Sequence, residues 1–238
     1  MKNVIICKTC QTPNPFHQLV CLNCKAFLRE RVYNIDFWKM LLELLATPKS
    51  AFTKIIFSEQ KNFILLIILL ASIKLFINSI FFYLTDVKND ISNYNFTANY
   101  LIVLIFLVLF LCITTIFIKI ADYQLKNNLR LKDIFSVLSY SFIPHLFALI
   151  ILFPIELIFF GGYLFSNNPS PFVIKETASI IFLFLEIIVI LWSFFLTNVG
   201  IYTLTNSIVY SMIVSTGLLL IMYLVLYFNS VYFFINHV

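Results

Sequence analysis

The sequence predicts an all-α integral membrane protein: five transmembrane helices, preceded by a small zinc-ribbon-like knuckle domain and by amphipathic interface helices. Three observations carry that prediction. Of the 238 residues 61% are hydrophobic and only 11% charged, and mean hydropathy is +0.98. Five apolar stretches each reach the roughly 20 residues needed to cross the hydrocarbon of a bilayer. Four of the five cysteines fall in two C-x-x-C pairs near the N-terminus. A soluble domain sits nearer half apolar and a quarter charged, so a chain with 28 Phe has too little polar surface for water.

The knuckle comes first, in residues 1–30. Cys7-Lys8-Thr9-Cys10 and Cys21-Leu22-Asn23-Cys24 are separated by ten residues. Two thiolates three apart on a tight turn can reach one metal at about 2.3 Å, and a second such turn completes a tetrahedron. One structural zinc held by Cys7, Cys10, Cys21 and Cys24 is therefore expected. The gap is shorter than the commonest spacing of such pairs. It still allows a hairpin, with Thr12-Pro13-Asn14-Pro15 supplying turn chemistry.

Disulfides are disfavoured in a reducing compartment, and a thioredoxin-like redox site needs an α/β frame this segment cannot build. His17, between the pairs, reads as a surface residue because four thiolates already fill the site. Zinc here substitutes for a core, since about thirty residues bury too little apolar area alone. Four protein ligands leave no open position for water, so this zinc is not expected to be catalytic. Cys112 lies within an apolar helix and reads as a small buried hydrophobe.

Residues 34–61 change pattern. Phe37, Trp38, Leu41, Leu42, Leu44 and Leu45 alternate with Asp36, Lys39 and Glu43 at helical spacing until Ala46-Thr47-Pro48 breaks the run. A second short segment sets Ala51, Phe52, Ile55 and Ile56 against Lys49, Lys54 and Lys61. Both are too short and charged to span. They suit helices lying in the interface, with Trp38 at headgroup depth, or helices packed on the cytosolic ends of the spans.

The five spans, within residues 62–238, are expected at about 62–84, 97–121, 134–165, 173–198 and 206–234. The third holds Pro144 and Pro154 and is too long to cross straight, so it tilts, kinks at a proline or begins with a short interfacial helix. Nine of the 16 Lys/Arg precede Asn62. The first loop, with Asp86, Lys88 and Asp90, is weakly acidic, and the second, with Lys126, Arg130 and Lys132, is basic. Positive residues stay on the cytoplasmic side. That places the N-terminus in the cytosol and the C-terminus outside, in the plasma membrane if the chain is prokaryotic. Met1-Lys2-Asn3 is followed by too few apolar residues for a signal peptide.

Several segments resemble the Yip family of five-span membrane proteins, whose eukaryotic members interact with Rab-type GTPases. The resemblance covers about Asp36 to the C-terminus. It rests on Asn34-Ile35-Asp36-Phe37-Trp38, on Thr47-Pro48-Lys49-Ser50-Ala51-Phe52, and on the run from Leu131 to Pro144 at the start of the third span. An N-terminal zinc ribbon ahead of such a domain is also familiar in prokaryotic members. The chain departs at Ser139, where the family often has glycine. It departs again at Gln11 and Lys25, where a glycine usually follows each knuckle's second cysteine. The resemblance implies a non-enzymatic membrane-organising or protein-interaction factor whose knuckle docks a cytosolic protein partner.

Ionisable residues inside the spans point elsewhere. Lys74 lies near the middle of the first span and Glu186 at matching depth in the fourth, while Glu156 lies towards the outer end of the third, or deeper if that span starts near Pro144. A charge at midplane costs at least about 2.5 kcal/mol on insertion scales, so it usually faces a partner or water. A Lys74–Glu186 pair fixing helix register is one reading. A polar path for an ion or small solute, as in a permease or channel subunit, is the other. His145, after Pro144, is expected to hydrogen-bond a freed backbone carbonyl. No phosphate loop, Ser/His/Asp set or paired catalytic carboxylates appear, so no catalytic or cofactor-binding residues are assigned and no enzyme is expected. Beyond the lipid bilayer and a cytosolic protein, the sequence is compatible with a homo-oligomer, and its basic residues form no dense face for nucleic acid.

Overall fold

The computed structural model of the chain describes residues 4–81, 96–125, 129–166 and 169–235. Asp86, Lys88, Asp90 and Lys126, which enter the orientation argument, lie outside these residues, as does the expected end of the first span after Phe81. The chain divides into two compact units. One comprises residues 1–65, 111–141 and 195–216, and the other residues 66–110, 142–194 and 217–238.

In the first unit, strands β1 (Val4–Ile6) and β2 (Pro13–Pro15) pair antiparallel, with Ile5 opposite Asn14. The Thr12–Pro15 run expected as a turn is thus partly a strand. Its prolines are tolerated because they lie at the ends of a two-stranded edge. Helix α1 (Phe37–Ala46) starts at Asp36, whose side chain accepts from the Lys39 amide, and α2 (Pro48–Phe57) starts with proline at its first position. Lys54 of α2 pairs with Glu43 of α1 at 2.5 Å.

The two helices of this segment differ in burial. In α2, Ala51, Phe52, Ile55 and Ile56 are all buried, and the helix packs on α5 (Leu131–Tyr140). Helix α1 buries Met40, Leu41 and Leu44 but exposes Trp38, Leu42 and Leu45 along one side.

Among the described residues, five helical segments are long and apolar enough to cross a membrane: Ile64–Phe81 (α3), Phe96–Asp122 within α4 (Phe96–Leu125), Leu131–Phe165, Glu176–Thr205 (α9) and Ile208–Phe228 within α10 (Ile208–Ile235). Helix α4 shows why water is the wrong solvent. It leaves Ile105, Leu109, Ile113, Ile116, Phe117 and Ile120 exposed, a continuous apolar stripe that a soluble monomer rarely presents. Cys112 belongs to this outer surface and is exposed, not buried as the sequence suggests, because its neighbour Leu111 takes the inward position.

The fourth span reaches Thr205, well past Asn198. Its polar end reads as a loop in sequence, but the Thr203 and Thr205 hydroxyls donate to the Val199 and Ile201 carbonyls, and Asn198 bonds Ser215. Its start is later than expected too, at Glu176, because α8 (Pro171–Ile174) is a separate short helix.

Gly200 of α9 lies where a Cβ would come 2.5 Å from Val137 and 3.3 Å from the Phe52 ring. Gly200→Ala must therefore push packed side chains apart. The expected cost is about 1–3 kcal/mol, read as a lower midpoint in thermal unfolding of the detergent-solubilised chain.

In the second unit the third span continues as α6 (Ile143–Phe147), a π-helical turn over Ala148–Leu152, and α7 (Phe153–Phe160). Breaks at Ser141–Phe142 and at the π turn each precede a proline. Pro144 and Pro154 lack the N–H that would bond the Tyr140 and Ile150 carbonyls, so the regular ladder cannot continue there. Gly161, at φ +56°, then ends α7. Phe81, Phe160, Leu164 and Phe182 form a buried aromatic cluster beside these turns.

Candidate metal centre and buried charge cluster

Each C-x-x-C pair folds as the same turn. The Cys7 amide donates to the Thr12 carbonyl and the Gln11 amide to the Cys7 carbonyl, both at 3.0 Å. In the second turn Cys21 donates to Ala26 at 2.8 Å and Lys25 to Cys21 at 3.1 Å. The repeated geometry gathers the four sulfurs within 4.8 Å of one another, with Cys7–Cys24 and Cys10–Cys21 each at 3.5 Å. A disulfide needs about 2.05 Å, whereas the edge of a tetrahedron with metal–sulfur bonds of 2.3 Å is about 3.8 Å. The donor set therefore fits a tetrahedral thiolate-bound metal.

Residues around the sulfurs support that chemistry. Asn14, fully buried, donates to Cys21 Sγ at 3.4 Å and accepts from the Leu22 amide at 2.8 Å. Thr12 lies 3.2 Å from Cys10 Sγ. His17 is not among the gathered ligands. It is half-buried, and desolvation followed by the nearby Arg130 charge pushes its imidazole pKa down.

Gln11 and Lys25 both adopt φ 57°, the left-handed conformation that glycine takes without steric cost. Gln11→Gly and Lys25→Gly are each expected to stabilise the metal-bound knuckle by about 0.5–1 kcal/mol after glycine's own entropy cost. Competition with a chromophoric chelator would show the gain as slower, weaker metal extraction.

The knuckle is fastened to the membrane-proximal segment. Arg29 stacks 4.1 Å over the Phe57 ring, Phe16 lies 4.9 Å from the same ring, and Arg31 forms a two-pronged contact with Glu59. Just beyond, Lys61 pairs with Asp133 at 3.0 Å, and Arg130 pairs with Asp133 at 2.7 Å while bonding the Ile56 carbonyl. Burial pulls the Lys61 ammonium down to about 8, partly offset by Asp133. Tyr140 donates to the Asn62 carbonyl at 2.5 Å. These contacts hold the N-terminal segment against Arg130, Asp133 and Tyr140.

The second unit contains the intramembrane ions. Lys74, the eleventh residue of α3, lies 3.0 Å from Glu156 Oε2 and 2.6 Å from Glu186 Oε1, the eleventh residue of α9. All three are at most 1% exposed. The expected Lys74–Glu186 pair is therefore a cluster of three. Glu156 joins because the breaks in the third span bring α7 into register with Lys74. Asn78, one turn after Lys74, donates to Glu186 Oε2 at 2.6 Å. Glu186 Oε1 makes an ion contact without an aligned hydrogen bond, and Glu156 Oε1 and Asn78 Oδ1 are buried with no hydrogen-bond partner among the described residues.

His145 Nε2 lies 3.2 Å from the Tyr223 hydroxyl, a partner from another helix that the sequence does not reveal. The ring also meets the backbone at Phe142, the kind of partner the sequence predicts for it. Sequence reasoning missed Asn78, although its i, i+4 spacing from Lys74 puts it on the same helix side. It also missed Tyr223 and the Lys61–Asp133–Arg130 set, in which Lys61 lies far along the chain from the i, i+3 pair it joins.

Fold and site together define a polytopic helical membrane protein with a four-cysteine metal-binding module and buried intramembrane ion pairs. No family model matches the chain, and neither a curated protein nor a solved structure is similar to it.

Proposed function

We propose that this protein is a permease or channel subunit in which Lys74, Glu156 and Glu186 form the site that a charged solute or ion engages. The carrying observation is the imbalance of the cluster: one ammonium meets two carboxyl groups, all buried. A register-fixing device needs a single pair. An additional ionisable group with an unpaired oxygen at this depth is a binding feature, since such groups are costly in a membrane unless they face a partner or a pathway.

In this reading zinc fills the knuckle, and the N-terminus lies in the cytosol with the C-terminus outside. The first unit supports that topology by collecting the N-terminal segment, the second loop and the Asn206–Ser207 turn, with Lys54, Lys61, Lys119 and Arg130.

Flux across reconstituted proteoliposomes tests the proposal, using a panel of inorganic ions and small metabolites. At least one solute is expected to cross, and Glu186→Gln is expected to reduce that flux at least about tenfold, equivalent to roughly 1.4 kcal/mol. A folded, correctly inserted chain that carries nothing on the panel defeats it.

A second reading, the Yip-type docking factor, draws on the knuckle surface, where Ile6, Leu22 and Phe27 are exposed. It predicts a cytosolic protein captured by the intact chain and lost on Cys21→Ala.

A further inference from the structure

Beside the charge cluster, within the same unit, lies a cavity of about 270 Å³. Leu183, Ile187 and Ile190 of α9 and Leu226 of α10 form its apolar walls, and Asn78, Ser79, Tyr223 and Tyr227 bring polar groups to it. Two of these also touch the cluster and its surroundings: Asn78 bonds Glu186 through Nδ2, and Tyr223 bonds His145. With Nδ2 committed to the carboxylate, Asn78 keeps a buried acceptor, Oδ1, that no group among the described residues satisfies.

The cluster's charge fixes what such a cavity attracts. Fully ionised, Lys74, Glu156 and Glu186 sum to one negative charge in a buried site, where an isolated charge is strongly disfavoured. Among the described residues, the other titratable groups facing the cluster and cavity are His145 of α6 and Tyr223 of α10, an imidazole and a phenol bonded to each other, and the Tyr227 phenol, and none is a fixed cation. Neutrality requires one further positive charge. A proton on the carboxyl groups or a cation in the adjoining cavity can supply it.

Resting on the permease reading, we propose that the cavity binds a small hydrophobic ammonium ion, which displaces one proton from the Glu156–Glu186 carboxyls. The ammonium N–H groups donate towards Asn78 Oδ1, its charge balances the carboxylates, and its apolar body lies on Leu183, Ile187, Ile190 and Leu226. At roughly 30 Å³ for each water-sized unit, the volume suits about nine non-hydrogen atoms, the size of phenethylammonium. The exchange is balanced: one monocation enters, one proton leaves, and the cluster stays neutral in both states.

The test uses the full purified chain in detergent, titrated with phenethylammonium in weakly buffered solution with a pH dye. About one proton per bound amine is expected, with affinity rising up to about tenfold per pH unit while the carboxyl proton is present. Glu156→Gln leaves a neutral Lys74–Glu186 pair, so proton release should vanish and binding should weaken at least about tenfold. Ile190→Phe fills the cavity without touching the charges and should abolish binding while thermal unfolding stays near that of the unaltered chain. No binding, binding without proton release, or a Glu156→Gln chain that binds as tightly each overturns the inference. Amine binding with proton release but no flux in liposomes refutes the permease reading alone, and flux of other solutes without amine binding refutes this inference alone.

Discussion

Cys21→Ala is expected to remove the bound metal and unfold residues 1–30 while leaving the five spans helical. The reason is how little else holds the knuckle together. Its sheet has two three-residue strands, and Ile6, Leu22 and Phe27, which could have formed a core, are exposed. What is buried is half of the ligand set, Cys7 and Cys21, with Asn14 between the turns. Zinc contributes about 10–16 kcal/mol of apparent binding free energy to such modules, and that energy is also their folding energy. Losing one of four thiolates forfeits most of it. Metal analysis should find one zinc per unaltered chain and none in the variant. Limited proteolysis should cut the variant near Lys25 and Arg29 while circular dichroism keeps its helical signal. A wild-type chain purified without metal yet resistant to protease would sink the structural-zinc assignment.

Much of this architecture was legible because its signals are local. Hydropathy locates five spans, since each apolar stretch has to be long enough by itself. Cysteine spacing locates the knuckle because each turn brings its own two ligands together. Where the reading failed, the deciding partner was distant or the polarity misleading. Thr203 and Thr205 look like loop residues, yet their hydroxyls return to their own helix backbone. Cys112 could face either way on an apolar helix until packing chose Leu111 for the interior. The breaks at Ser141–Phe142 and Ala148–Leu152 set where Glu156 falls, and the sequence shows the prolines but not the resulting register. Tyr223 reaches His145 across 78 positions, a contact no periodicity encodes.

That hidden register determines the second large effect, on Lys74→Leu. Removing the ammonium leaves Glu156 and Glu186 facing each other without a cation, at a site none of the three residues shares with solvent. Breaking a buried ion pair from one side costs about 3–5 kcal/mol, because the remaining charge is uncompensated. The variant should express poorly and unfold at a distinctly lower temperature. Lys74→Leu with Glu186→Leu removes one carboxyl but leaves Glu156 unpaired, so recovery should be partial. Replacing all three by Leu should restore stability to that of the unaltered chain or better, since exchanging a buried ionic cluster for apolar groups is often neutral or favourable. If Lys74→Leu unfolds like the unaltered chain, the cluster is not the closed ion network described. If the triple variant is stable but carries no solute, the charges are kept at a site where leucine would serve stability as well. Transport would then be the property that Lys74, Glu156 and Glu186 supply.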